Sequence, residues 1–336
     1  MIRTRTTQNN LTRQNIEGHT LQERESAPTH LTNDRMKPTL VIMAAGMGSR
    51  YGGLKQLDKL GPAGESIMDY SVFDAIRAGF GKVVFVIRHA FAEQFKEQVL
   101  QKYQKAIDTA VVYQEIDSLP EGFTAPAERT KPWGTNHALM MAAPEIDGPF
   151  AVINADDFYG REAFQTMSDY LSQLPSDSRG AYCMVAYDIE STLTAEGSVS
   201  RGVCKASPEG YLMHITEHKN IHENESHEIV SMHDGKKLSI ARGTLVSMNL
   251  WGFTPDYLEH SERLFADFLK EHGSEPTSEF FIPTVVDTLI RQGLAQVQVL
   301  STDARWFGAT YASDRDMVIA HLAKLTEAGE YPSPLL

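Results

Sequence analysis

Thr39-Leu-Val-Ile-Met-Ala-Ala-Gly46-Met-Gly48-Ser49-Arg50-Tyr-Gly52-Gly53-Leu-Lys55-Gln-Leu57 is the stretch from which the rest of the chain can be read. The apolar run Leu40 to Ala45, ended by glycine, predicts a buried strand that breaks into a loop. Glycines in that loop admit positive φ and leave the backbone open to a ligand, so successive N–H groups can converge on an anion. Arg50 and Lys55 add fixed positive charge, and the combination suits a polyphosphate. Two commoner phosphate loops do not match. A dinucleotide fingerprint would need glycine where Tyr51 stands, and a P-loop would need Lys-Ser or Lys-Thr directly after Gly53.

Outward from the loop, the pattern alternates. Ser66 to Gly79 has helical spacing with Gly79 as a stop. Lys82 to Ile87 is a strand, Ala92 to Ile107 a helix and Ala110 to Gln114 a strand. A long Pro-rich connection, 116–132, leads to a helix opening at Trp133-Gly-Thr-Asn-His-Ala and running to about Glu145. Phe150 to Asn154 is the next strand, followed by Asp156 and Asp157, a helix over about 161–174 and a strand over Ala181 to Tyr187. Strand and helix in alternation imply a parallel α/β sheet, in which ligands bind outside the carboxyl ends of the strands. From 188 onward, short strands near Gly202, Tyr211, His227 and Leu245 suggest an antiparallel excursion over the open end of the sheet. Helices over 255–271 and 279–291, a strand over Ala295 to Leu300 and a helix over 314–327 complete the expected chain.

With 336 residues and 42% hydrophobic content, the chain can bury a large core. A net charge of -13 opposes a nucleic-acid surface. Two cysteines, Cys183 and Cys204, make no disulfide framework and suit a reducing compartment. No run reaches transmembrane length and no secretion signal opens the chain, so a cytoplasmic location is expected. Residues 1–35 read as a disordered leader, with Met36 as an alternative start. His214, His218, His222, His227 and His233 read as polar strand residues and not as a zinc site.

The Gly-x-Gly-x-Arg with Lys-Gln-Leu after it resembles the signature of the sugar-nucleotide pyrophosphorylases, nucleotidyltransferases that join a nucleoside triphosphate to a sugar 1-phosphate. That resemblance implies a Rossmann-like, three-layer nucleotidyltransferase fold of GT-A-like type, α/β with a mixed, mostly parallel sheet and a small antiparallel β insertion. The domain would span 36–330, with a nucleotide half over 36–187 and a sugar-phosphate half over 188–330. Asp156 and Asp157 stand where carboxylates can hold Mg²⁺ between phosphorylated substrates. In the resemblance Asp156 takes the metal position, and Arg50, Lys55 and Asp156 carry the catalytic roles. Ala45, Gly46, Gly48, Ser49, Gln114, Gly134 and Thr135 are the expected nucleotide-binding residues. Gly202, Glu217, Lys219 and Asn249 are the expected sugar-phosphate residues.

The implied partners are UTP, dTTP or CTP and a sugar 1-phosphate, with Mg²⁺, no nucleic acid and no membrane; a homo-oligomer stays open. One departure matters. Many relatives carry a second metal aspartate in a Trp-x-Asp-x-Gly-Thr context, where this chain has Trp306-Phe-Gly308-Ala-Thr310. Asp303, Asp314 or water are the candidate replacements. The alternatives are a cytidylyltransferase for a phosphate such as phosphocholine, a GT-A glycosyltransferase, and an inactive nucleotide-binding homologue.

Overall fold

Alternate residues of the first strand face different cores. In the computed structural model, which describes residues 36–46, 58–194, 197–233, 235–308 and 315–336, β1 (Thr39–Met43) sends Leu40 and Ile42 into one apolar cluster and Val41 and Met43 into another. A strand apolar on both faces has to be covered on both faces. Residues 1–35, read as a leader, lie outside the described residues.

The order continues with α1 (Ile67–Ala78), β2 (Lys82–Ile87), α2 (Ala92–Phe95), α3 (Gln101–Tyr103), β3 (Asp108–Tyr113), α4 (Thr135–Met140), β4 (Phe150–Asn154), β5 (Asp157–Phe158), α5 (Arg161–Leu171) and β6 (Ala181–Asp188). It is completed by β7 (Val199–Ala206), β8 (Leu212–Glu223), β9 (Ile229–His233), β10 (Lys236–Ile240), β11 (Leu245–Phe253), α6 (Asp256–His272), α7 (Ile282–Arg291), β12 (Gln296–Ser301), β13 (Phe307–Gly308) and α8 (Arg315–Glu327). The sheet runs β10-β9-β8-β7-β11-β4-β1-β2-β3, with β6 paired to β11 and β12. β4, β1, β2 and β3 are parallel, and β11 joins β4 antiparallel.

Two apolar clusters flank this sheet. α1, α3 and α5 contribute Met68, Val72, Tyr103, Phe164 and Met167 to one face. α4, α6 and α7 contribute Leu139, Tyr257, Phe265, Val286 and Leu289 to the other. The α/β reading of the sequence therefore holds, as three layers. Its antiparallel part is hydrogen-bonded into the same sheet: opposite β6, β11 pairs with β4 through Trp251 to Phe253 and with β7 through Val246 and Ser247, so β7 to β10 join beyond the carboxyl end of β4.

Helix ends follow local chemistry. Ser66 and Asp69 form a reciprocal capping box at the start of α1, and Gly79 ends it at φ 92°. The helix expected over 92–107 is broken by a π turn at Lys96–Leu100. β10 escaped the sequence reading because Lys236 to Ser239 are exposed and polar in pattern. The second half of β8 did for the same reason.

A third apolar cluster joins Tyr70 of α1, Phe158, Phe307, Val318 and Leu322 of α8, and Tyr331 and Leu335 of the tail. Phe158 and Phe307 stack at 4.3 Å, so the tail packs against the β5–β13 pair. Tyr331 donates to the buried Asp74 carboxylate at 2.8 Å, and Arg77 approaches it at 2.6 Å. Burial raises the Asp74 carboxyl from its ordinary 3.8 to about 7, against the opposing pull of Arg77 and the Tyr331 hydroxyl. Between those values the folded protein holds a proton that the unfolded chain has released, so this contribution to stability falls as pH rises. Denaturant titrations from pH 4 to 8 should show wild type losing stability relative to Asp74→Asn across that window, by at most about 4 kcal/mol. A difference that does not change with pH would refute it.

Candidate functional site

Parallel pairing in register brings four strand ends to one edge. Met43 pairs with Val86 and with Asn154, and Ile87 pairs with Tyr113. Ala45 and Gly46 therefore follow β1, Gln114 follows β3, and Asp156 follows β4, all at the carboxyl edge where α/β sheets bind ligands. Strands lie about 4.8 Å apart, so about 14 Å separates the strand of Gln114 from that of Asp156. The start of the glycine loop lies between them. Gly48, Ser49, Arg50 and Lys55 lie outside the described residues.

Beyond β4 the antiparallel strands open a cavity of about 270 Å³. Asp156, Asp157, Gly202, Glu217 and Asn249 line it, which joins five of the expected residues in one place. Asn249 enters through an irregularity of β11 between Ser247 and Trp251, at φ 62°. An asparagine in the left-handed region is uncommon, and its presence in a bulge beside a cavity fits a re-aimed side chain. Gly202 sits where a Cβ would meet the end of the Ile215 side chain at 2.9 Å, so a larger residue there would displace that side chain. Lys219, on exposed β8, is not among the lining residues; burial raises the Glu217 carboxyl, against the opposing charges of Arg201 and then Lys219.

Burial first, and then the neighbouring Asp156, raise the Asp157 carboxyl to about 7. Asn154, Arg201 and Tyr159 pull the other way. The Asn154 amide donates to Asp157 Oδ2 at 2.9 Å. Gly308 pairs directly across from Asp157 in the β5–β13 ladder, and a Cβ at 308 would lie 2.9 Å from Asp157 Oδ1. The place where the resemblance expects an aspartate is thus bordered by the carboxylate of Asp157. Asp303 is exposed and does not line the cavity, and Asp314 lies outside the described residues. Adjacent carboxylates that disfavour each other's charge suit a divalent cation, and oxygen donors suit Mg²⁺.

At the other end of the edge, Gln114 is 4% exposed. Its amide nitrogen lies 3.1 Å from both the Gly134 carbonyl and His137 Nδ1. His137 Nε2 donates to the Ser118 carbonyl at 2.8 Å, so the ring is neutral with Nδ1 as acceptor, and burial favours that form. Gln114 is thereby held with its NH₂ turned inward. Gly134 adopts φ 100°, and a Cβ there would meet the Phe280 backbone at 2.7 Å. The Thr135 hydroxyl accepts from Ile282 N–H at 3.2 Å, which ties α4 to α7. The connection over 116–132 is fixed by Arg129, whose guanidinium lies 3.3 Å over the Trp133 ring and donates to Ser278 O at 2.6 Å.

The sequence reading missed Arg201, Asn154, Ser200, Ser247 and Trp306 in the cavity lining. Only a basic residue directly before Gly202 could have signalled the first. His214 pairs with Asp287 at 2.8 Å and His218 with Ser231 at 2.8 Å.

A family model described as nucleotidyl transferase matches residues 39–307. No curated protein sequence matches the chain. Among solved structures, the inositol-1-phosphate CTP transferase from T. maritima superposes with a TM-score of 0.55 at 13% identity, covering 87% of this chain and 97% of that one. A UDP-glucose pyrophosphorylase complexed with UDP-glucose gives 0.51 at 16% identity, covering 86% and 99%. At these identities the likeness is one of fold.

The contact between positions 157 and 308 predicts that Gly308→Ala destabilises the protein by about 1–3 kcal/mol through overpacking. Asp157→Ala should relieve most of that strain, so denaturant unfolding of both single variants and the double variant should be non-additive. Additive effects would mean that the two positions do not touch.

Proposed function

Because the chain belongs to the nucleotidyl transferase family, we propose that it joins a nucleoside triphosphate, UTP, dTTP or CTP, to a sugar 1-phosphate and releases pyrophosphate. The observation that carries this reading is the spatial order along one sheet edge. Gln114 comes first, then the start of the glycine loop, then Asp156, then the polar cavity beyond β4. A base, a triphosphate, a metal and an acceptor need to be met in that sequence.

In the reaction, an acceptor phosphate oxygen forms a bond to the α-phosphorus while the bond to the leaving pyrophosphate breaks. The nucleophile is already an anion, so positioning and charge neutralisation carry the catalysis. Arg50 and the loop amides hold the β- and γ-phosphates, and Lys55 holds the α-phosphoryl group. Asp156 and Asp157 would hold Mg²⁺, which would supply positive charge at the reacting phosphates. The closeness of Asp157 to Gly308 supports it as the second carboxylate, in place of the aspartate that relatives carry at 308.

The lining favours a polyol acceptor. Asn154, Ser200, Glu217, Ser247 and Asn249 offer hydrogen bonds suited to hydroxyls. A quaternary ammonium such as that of phosphocholine wants several aromatic faces. Here Trp306 is the one aromatic ring among the described lining residues, and Arg201 lies 4.7 Å over it.

Magnesium-dependent pyrophosphate release, measured for the common triphosphates against a panel of sugar 1-phosphates and phosphocholine, should single out one strong pair. Lys55→Ala and Asp156→Asn should each lower kcat/KM for that pair by about 100-fold or more, the scale of losing one charge-stabilising group. Turnover within a few-fold of wild type in both variants would defeat the assignment, as would silence across the matrix.

A further inference from the structure

Arg201 is a cation that neither the sequence motifs nor the proposed metal and nucleotide contacts account for. It lines the cavity together with Asp157 and Glu217, and among the described lining residues it is the one basic side chain. Its guanidinium is anchored by neutral groups: Nη1 donates to Ser200 O at 2.9 Å and Nη2 to Thr192 O at 2.7 Å. Those bonds use two of the five N–H donors that an arginine carries. Among the described residues the buried Nε has no hydrogen-bond partner, and neither has Nε1 of Trp306, whose ring the guanidinium covers at 4.7 Å. Buried donors without acceptors are unfavourable, and two of them beside one cavity call for an incoming acceptor.

We propose that Arg201 is a specificity-determining residue that binds the phosphate of the acceptor, with Trp306 as the surface against which it is held. This rests on the reading of the chain as a sugar 1-phosphate nucleotidyltransferase. The acceptor phosphate supplies the nucleophile, so it has to lie at the Asp156–Asp157 end of the cavity, and the charge of Arg201 acts on Asp157 at that end as well as on Glu217. Without a cation there, a phosphate dianion would face the carboxylates of Asp156, Asp157 and Glu217. A guanidinium fork matches phosphate oxygens in a way that a lysine ammonium does not. Arg201 thereby excludes neutral sugars and sets the affinity for phosphorylated ones.

Equilibrium binding tests this without needing turnover. The panel of sugar 1-phosphates and the matching methyl glycosides are titrated calorimetrically into wild type, Arg201→Met and Arg201→Lys, with melting temperatures taken alongside. Wild type should bind at least one sugar 1-phosphate tenfold or more tighter than its methyl glycoside. Arg201→Met keeps an unbranched apolar stem against Trp306 and should lose that preference, while Arg201→Lys should retain part of it. In turnover, KM for the acceptor should rise tenfold or more in Arg201→Met, with KM for the triphosphate within twofold of wild type. Equal binding of phosphorylated and unphosphorylated sugars by wild type would overturn the proposal. So would full preference in a folded Arg201→Met, or a fall in kcat with both KM values unchanged, which would make Arg201 a support for Asp157 alone. If Arg201→Met does not fold, Arg201→Lys decides: a preference equal to wild type would overturn the proposal. Pyrophosphate release by wild type with an unaltered Arg201→Met sinks Arg201 and spares the reaction; the absence of release with any pair sinks the reaction, while the binding titrations still decide Arg201.

Discussion

The parallel ladder that joins β1 to β2 on one side and to β4 on the other fixes the geometry on which the site depends. Because the three strands run the same way and in register, their carboxyl ends stop at one level. Whatever follows each strand is then delivered to the same edge, at intervals of about 4.8 Å. A shift of one residue in any of these strands would also exchange the two cores, since Leu40 and Ile42 face one layer of helices and Val41 and Met43 the other. Packing therefore enforces the register that the chemistry needs.

The second determinant is the reversal at β11. An antiparallel strand placed against β4 brings residues distant in sequence to the end where Asp156 emerges. Through β11 and β7, Ser247, Asn249, Gly202 and Arg201 reach one cavity, and β8 adds Glu217. The bulge in β11 and the close approach at Gly202 shape the wall. Asp157 is presented by the β5–β13 pair, which the C-terminal helix and tail buttress through Phe158, Phe307 and Tyr331. The segment that follows the matched family region thus packs against the strand pair that carries Asp157.

The charge pattern of the cavity is consistent with this origin. Asp156 and Asp157 are neighbours in the chain and cannot avoid each other, and burial makes their proximity more unfavourable. Arg201 offsets part of that field, at the expense of its own desolvation, which draws its guanidinium down to about 10. Carboxylates and one guanidinium in a shared polar space are suited to bridging cations and phosphate oxygens.

The sequence by itself determined the α/β class, the central strands and the residues that follow them, because strand patterning and glycine placement are local properties of the chain. Lys82 to Ile87 and Phe150 to Asn154 were read with the bounds they have in the fold. Through the family resemblance it also singled out Gly202, Glu217 and Asn249, which share the cavity with Asp156 and Asp157. Only the tertiary structure decided that β7 to β10 join the sheet through the edge of β11 that β4 also uses, since pairing partners are set by hydrogen bonds between distant segments. It decided the fixed orientation of Gln114, which depends on His137 and Gly134 some twenty residues away. It decided that position 308 borders Asp157, and that Arg201 shares a cavity with the carboxylates. A side chain's neighbours across a sheet are fixed by register and burial, and neither is written in the residues beside it.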